Sequence, residues 1–201
     1  MKLLLLTFLM FTNILFADTL WSARLGAGQA SQNDFGEILS GQHTQHEADV
    51  SVVGADLGYR VGHDIFDIPL DFYLYGGLYR YLEGAHQDDF YEMTFYIKAF
   101  YNIDFWENRI RIGFAEGVSY TQEIPYIERI EAEANNDNNS YLMNYLDVSV
   151  DLDIGRLVRY KPMFDTYLGF ALKHRSGVFG LYNNVKRGGS NYLMMTLEKN
   201  F

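Results

Sequence analysis

The chain has 201 residues, a formal net charge of −10 and no cysteine. The acidic balance argues against bulk nucleic-acid binding, which needs a basic face for phosphates, and the lack of cysteine excludes a disulfide framework. With 16 Tyr, 15 Phe and a terminal Phe201, the composition suits a bacterial outer-membrane β-barrel, whose strands carry aromatic girdles where they meet the membrane surfaces.

The N-terminus reads "MKLLLLTFLMFTNILFADTLW": one Lys, an apolar run, then Ala17 before Asp18. This is the pattern of a secretory signal peptide over 1–17. An N-terminal membrane anchor is the alternative, but the run falls short of the roughly 20 residues that span a bilayer as a helix. The mature chain, 18–201, then suits one domain. Removing Lys2 leaves 15 basic against 26 acidic residues, a net charge of −11.

From there apolar and polar residues alternate in eight segments, near 20–30, 48–61, 70–82, 90–103, 108–120, 141–155, 164–176 and 189–201. In "YEMTFYIKAFYNI", Tyr91, Met93, Phe95, Ile97, Ala99, Tyr101 and Ile103 share one face. Glu92, Thr94, Tyr96, Lys98, Phe100 and Asn102 share the other. In "LMNYLDVSVDLDI", Leu142, Leu146, Val148, Val150, Leu152 and Ile154 alternate with Tyr145, Asp147, Ser149, Asp151 and Asp153. Period two over such lengths predicts strands able to cross a bilayer. The connections after the second, fourth and sixth strands are short ("GHDIFDIP", "DFWE", "RLVRYKP"), and the others tend to be longer and more polar. The expected fold is an all-β, eight-stranded antiparallel outer-membrane barrel with both termini in the periplasm.

A barrel of eight strands is filled by its own side chains. The inward set here includes Arg24, Asp56, Arg60, Tyr75, Lys98, Arg109, Arg111, Asp147, Asp151 and Asp153. Charges removed from water must pair, which predicts a structural salt-bridge and tyrosine network. One residue breaks the pattern. Glu116 in "RIRIGFAEGVSY" has the outward parity of Ile110, Ile112, Phe114 and Val118, so either a bulge re-aims it or it has a function.

Several loop motifs carry weaker chemistry. His43 and His46 of "HTQH" lack the partners of a metal site, and His63 and His86 are expected in exposed turns. "IERIEAEANNDNN" lacks calcium-loop spacing, and "GAGQASQNDFG" is not a phosphate loop because no helix is expected after it. No metal or cofactor is expected.

The seventh strand, "FDTYLGFALKHRS", turns Phe164, Thr166, Leu168, Phe170 and Leu172 outward, and the same parity carries His174 and Ser176. Leu193, Met195 and Leu197 place Asn191 outward on the eighth strand. An antiparallel register pairing 174 with 191 would set His174 beside Asn191 and Ser176 beside Gly189. A hydroxyl becomes a nucleophile when an imidazole takes its proton, and the imidazole needs a third group to orient it. Lys173, Arg175, Lys186 and Arg187 are expected at the same rim, where they can hold lipid phosphates. Backbone N–H groups at Gly177 or Gly189 are candidate oxyanion donors.

On "HRS" and its place on a late strand, the chain resembles PagL-type lipid A 3-O-deacylases and related outer-membrane acyl-ester hydrolase barrels. The resemblance is sharp only over the last thirty residues. It implies Ser176 as nucleophile and His174 as general base, acting on an ester-linked acyl chain of lipid A or a related outer-leaflet lipid. Those enzymes follow the serine with Asn-Ala and place an acid at the start of the last strand. This chain has Gly177-Val178 and "RGGSN" instead. Asn191, or a glutamate of a mobile 123–133 loop folding over the rim (Glu123, Glu128, Glu131 or Glu133), would then orient His174. The alternative is a non-enzymatic barrel that binds lipopolysaccharide or surface partners through its extracellular loops. In either case Phe201 is expected to engage the barrel-assembly machinery.

Overall fold

A computed structural model describes residues 20–201, so the expected signal peptide over 1–17 lies outside the described residues. The strands are β1 (Trp21–Ala30), β2 (Ser51–Gly62), β3 (Leu70–Leu82), β4 (Phe90–Phe105), β5 (Asn108–Thr121), β6 (Leu142–Asp153), β7 (Thr166–Ser176) and β8 (Gly189–Asn200). Each pairs antiparallel with the next, and β8 closes on β1. Backbone bonds between Trp21 and Phe201 in both directions complete the seam, so no unpaired edge remains. Among the described residues no helix is long and apolar enough to cross a membrane. The eight expected segments match the eight strands, with small shifts at their boundaries.

Alternation explains which side chains go where. Leu25, Leu57, Phe95, Phe114, Phe170 and Met195 stay exposed on the outer wall, as a lipid-facing surface requires. Their sequence neighbours fill the lumen. Arg24 donates from both terminal nitrogens to Asp147 at 3.2 Å, and Lys98 donates to the other oxygen of the same carboxylate. Nearer the termini, Arg111 meets Asp151 at 3.2 Å and Glu198 at 3.1 Å while lying against the rings of Phe100 and Tyr167. Tyr75, Tyr96 and Tyr145 stack in sequence between these clusters. Gly77 and Gly169 make room for this network, because a Cβ there would come within 2.2 Å of Asp56 and 2.0 Å of Asp151 carboxylate oxygens. The lumen is packed, as expected for eight strands. Arg60 and Arg109, from the expected inward set, are only half-buried and sit near the barrel end where Trp21 meets Phe201.

Two sequence expectations fail at the long-loop end. A helix, α1 (Phe35–Leu39), does follow the "GAGQASQNDFG" stretch, opened by a capping box between Asp34 and Glu37. The loop after β5 is also not a free chain. It forms α2 (Tyr126–Asn135), which buries Ile127, Glu128 and Ala132 over the barrel mouth. Glu128 is the anchor, accepting from Arg175 at 2.8 Å and from the Ser190 hydroxyl at 2.6 Å. An amphipathic helix capping a polar lumen buries its apolar face and neutralises the luminal cations together.

Candidate functional site on the outer wall

The site begins with β7. Its outward residues run Leu168, Phe170, Leu172, His174 and Ser176, and the pairing sets His174 against Asn191 and Ser176 against Gly189 on β8. This is the register assumed in placing His174 beside Asn191. On the other flank the same residues oppose Leu146 and Asn144 of β6. His174 and Ser176 are half-buried on the outer face at the long-loop end of the barrel.

The imidazole is held in one orientation. His174 Nδ1 lies 2.7 Å from Asn191 Oδ1, and Asn191 Nδ2 donates to the Asn33 carbonyl at 3.0 Å. The carbonyl of Asn33 fixes which end of the amide faces the ring. Oδ1 can only accept, so Nδ1 carries the proton and Nε2 presents its lone pair. Phe35, from α1, packs its ring 5.0 Å from the imidazole. Loop 31–50 therefore folds down the outside of the wall and braces the histidine. The Ser176 hydroxyl forms no hydrogen bond to the imidazole in this structure; serine is free to change rotamer, and such contacts are often long before substrate binds.

Ser176 and His174 open into a cavity of about 430 Å³, lined also by Phe35, Glu116, Asn144 and Lys186. Glu116 reaches it without a bulge, because pairing runs unbroken through 114–118 on both sides of β5. Of the two explanations for its outward parity, the structure removes the first. Glu116, Leu146, His174 and Asn191 form one row across four adjacent strands.

Other site expectations need correcting. Lys173 and Arg175 are not at the rim but inside the barrel, at 1% and 0% exposure. Lys173 donates to Tyr81 and Glu92, and Arg175 to Glu128 and Ser119. The reason is the parity that turns His174 and Ser176 outward, since odd and even positions of one strand cannot share a face. Only Lys186 and Arg187 remain exposed, with their backbone N–H groups on the Asp137 carboxylate. The Gly189 N–H faces the Glu131 carboxylate, which removes it from the candidate oxyanion donors, whereas Gly177 does line the cavity. The loop glutamates do not orient His174 either. Glu128 is turned into the lumen, and Asn191 already occupies Nδ1.

The histidines of the loops stand apart from this site. His43 and His46 line different cavities, and the His46 Nδ1 accepts from the Ala48 N–H. Among the described residues one cluster brings potential metal ligands together, His63 and Asp64 in the turn between β2 and β3 and Asp71 at the start of β3, at the opposite end of the barrel from Ser176. There His63 bonds Asp71 at 2.6 Å, and Asp71 also accepts from Asn102.

The helix over the mouth has its own pH dependence. Burial, with Asp34, Glu128 and Asp137 nearby, pushes the Glu131 carboxyl up to about 7, against the pull of the Gly189 N–H. The docked state thus binds a proton that the undocked state releases near 4.5, the ordinary value. Docking of α2 is strongest below that pH, weakens as pH rises towards about 7, and is constant above it. Hydrogen exchange of α2 amides is expected to accelerate across this window in the native protein. Glu131→Gln is expected to reduce the acceleration, and an unchanged profile would remove Glu131 as its source.

Sequence reading missed Asn33, Phe35 and Asn144. The first two come from a distant loop and leave no local signal. Asn144 was legible: it interrupts the outward row Leu142, Leu146, Val148 on β6.

Known structures give the fold a context. The chain is similar to the outer membrane enzyme PagL, with a TM-score of 0.59 and 11% identity over 90% of this chain and 99% of that one. It is also similar to Neisserial surface protein A, with a TM-score of 0.49 and 14% identity over 92% of this chain and 98% of that one. No family model and no curated protein matches the sequence. At such identity the likeness to PagL establishes the fold, that of an eight-stranded outer-membrane barrel.

Proposed function

We propose that the protein hydrolyses an ester-linked acyl chain of an outer-leaflet lipid, lipid A or a relative, on the outer wall of its barrel. The observation that carries this reading is the chain Asn33–Asn191–His174, which fixes the imidazole tautomer on the same outward face as Ser176. The ring is held from two sides, by Asn191 and by Phe35. The fold shared with PagL, itself an outer-membrane enzyme, and the resemblance of the His-x-Ser pair support the same reading.

His174 Nε2 takes the Ser176 hydroxyl proton as Oγ attacks the ester carbonyl, and the Nδ1–H stays on Asn191. Collapse of the tetrahedral intermediate breaks the ester C–O bond, and the leaving alkoxide takes the proton from His174. Water then attacks the acyl-serine with His174 again as base, releasing a fatty acid. Lys186 and Arg187 lie at the rim where a lipid phosphate would sit. The opposite end of the barrel, where Trp21 meets Phe201, then faces the periplasm.

Asn191 in place of a carboxylate gives less stabilisation to the imidazolium, and that feature favours a second reading, a lipopolysaccharide-binding barrel without turnover. The test is mass spectrometry of lipid A incubated with the protein in detergent or in outer-membrane vesicles. Release of a fatty acid supports the hydrolase; intact lipid A and other outer-leaflet lipids would leave the binding barrel. Asn191→Ala is expected to lower kcat on the order of 10²-fold through loss of orientation. Asn191→Asp is expected to retain more activity than Asn191→Ala, because it restores an acceptor for Nδ1–H. Equal rates for native and Asn191→Ala protein would remove Asn191 from the mechanism.

A further inference from the structure

For the oxyanion the backbone leaves Gly177 as a candidate donor, and β6 supplies a side chain. Asn144 stands directly opposite Ser176 in the β6–β7 pairing, on the same outward face. Directly opposed residues of antiparallel strands hold their Cβ atoms about 4.5–5.5 Å apart. A carbonyl carbon bonded to Ser176 Oγ would therefore lie within reach of the Asn144 amide.

Burial sets Asn144 apart from its row. It is 7% exposed although it points outward, whereas Leu142, on the same face, is 44% exposed. Its side chain makes no hydrogen bond among the described residues, and it lines the cavity shared by His174, Ser176 and Gly177. Its amide atoms are not fully enclosed and open into that cavity, so the side chain is free to donate there. A donor so placed can meet negative charge developing on an oxygen inside that cavity.

Resting on the hydrolase reading, we propose that Asn144 is a catalytic residue whose side-chain Nδ2–H donates to the oxyanion of the tetrahedral intermediate. As the Ser176 Oγ–C bond forms and the proton passes to His174 Nε2, the carbonyl π electron pair moves onto oxygen. Asn144 holds that oxygen until the pair returns and expels the alkoxide. Because Asn144 is on β6, the site is built from three adjacent strands, and the donor lies across Ser176 from the Gly189 side.

The test uses an alkyl fluorophosphonate, which phosphonylates an activated serine through an anionic intermediate needing the same donor, alongside ester turnover. Native protein is expected to label and Ser176→Ala not to. Asn144→Ala is expected to slow both labelling and kcat on the order of 10²–10³-fold, with KM little changed. If Asn144→Ala does not assemble into a heat-modifiable barrel, the near-isosteric Asn144→Asp is read instead. It loses the donor and places an acceptor against the oxyanion, so a loss at least as large is expected. Native labelling and kcat in whichever variant assembles would overturn the role of Asn144 while leaving the hydrolase intact. A native protein that neither labels nor releases fatty acid would overturn the hydrolase reading itself.

Discussion

Ser176→Ala and His174→Ala are each expected to abolish release of fatty acid from lipid A while leaving the barrel assembled. Loss of the nucleophile removes the covalent route altogether, and loss of a general base costs typically 10²–10⁴-fold. Assembly should survive because both side chains sit half-buried on the outer wall and neither joins the luminal network. The Ser176 hydroxyl has no hydrogen-bond partner among the described residues, and the Asn191 amide keeps its bond to Asn33 when the imidazole is removed. Heat-modifiable migration and a strand-rich circular dichroism spectrum check assembly, and mass spectrometry of lipid A checks turnover. A Ser176→Ala protein that deacylates at the native rate would move the chemistry elsewhere on the molecule.

The largest effect on stability is expected inside the barrel, from Asp147→Ala. Asp147 is 2% exposed and is the shared partner of Arg24 and Lys98, themselves 1% and 0% exposed. Removing the carboxylate leaves two buried cations without their close partner, Arg24 keeping only Glu198 at 4.0 Å. Breaking a buried pair in this way costs about 3–5 kcal/mol, chiefly through the uncompensated charge left behind. The urea midpoint of the protein refolded into lipid vesicles is expected to fall accordingly. Glu107→Ala is the contrasting variant, since Glu107 and its partner Arg159 are 82% and 83% exposed, and it should leave the midpoint where it was. Equal midpoints for Asp147→Ala and native protein would show that the luminal charges are not holding the barrel together.

How much of this could be read from residues alone depends on the range of the interaction. Period-two alternation is local, and each strand carries its own record of it. The eight strands, the packed lumen and the outward facing of His174, Ser176, Asn191 and Glu116 are therefore legible in the order of residues. The β7–β8 register is only narrowed by alternation, which forbids a slip of one residue but allows a slip of two. The same parity also places Lys173 and Arg175 in the lumen. Grouping them with Lys186 and Arg187 by charge, as a single rim, sets sequence proximity above the alternation that governs a strand.

What only the tertiary structure decided lies in the loops and in contacts across the barrel. Nothing near "IERIEAEANN" announces that Glu128 will meet Arg175 and Ser190, since those contacts exist only once the sheet has closed and the lumen offers buried cations. The bracing of His174 by Asn33 and Phe35 likewise joins opposite ends of the sequence, because closure of β8 on β1 brings the first loop beside the last strand. Alternation determines which way each side chain points; barrel closure determines what it meets there, and for this protein the candidate chemistry depends on both.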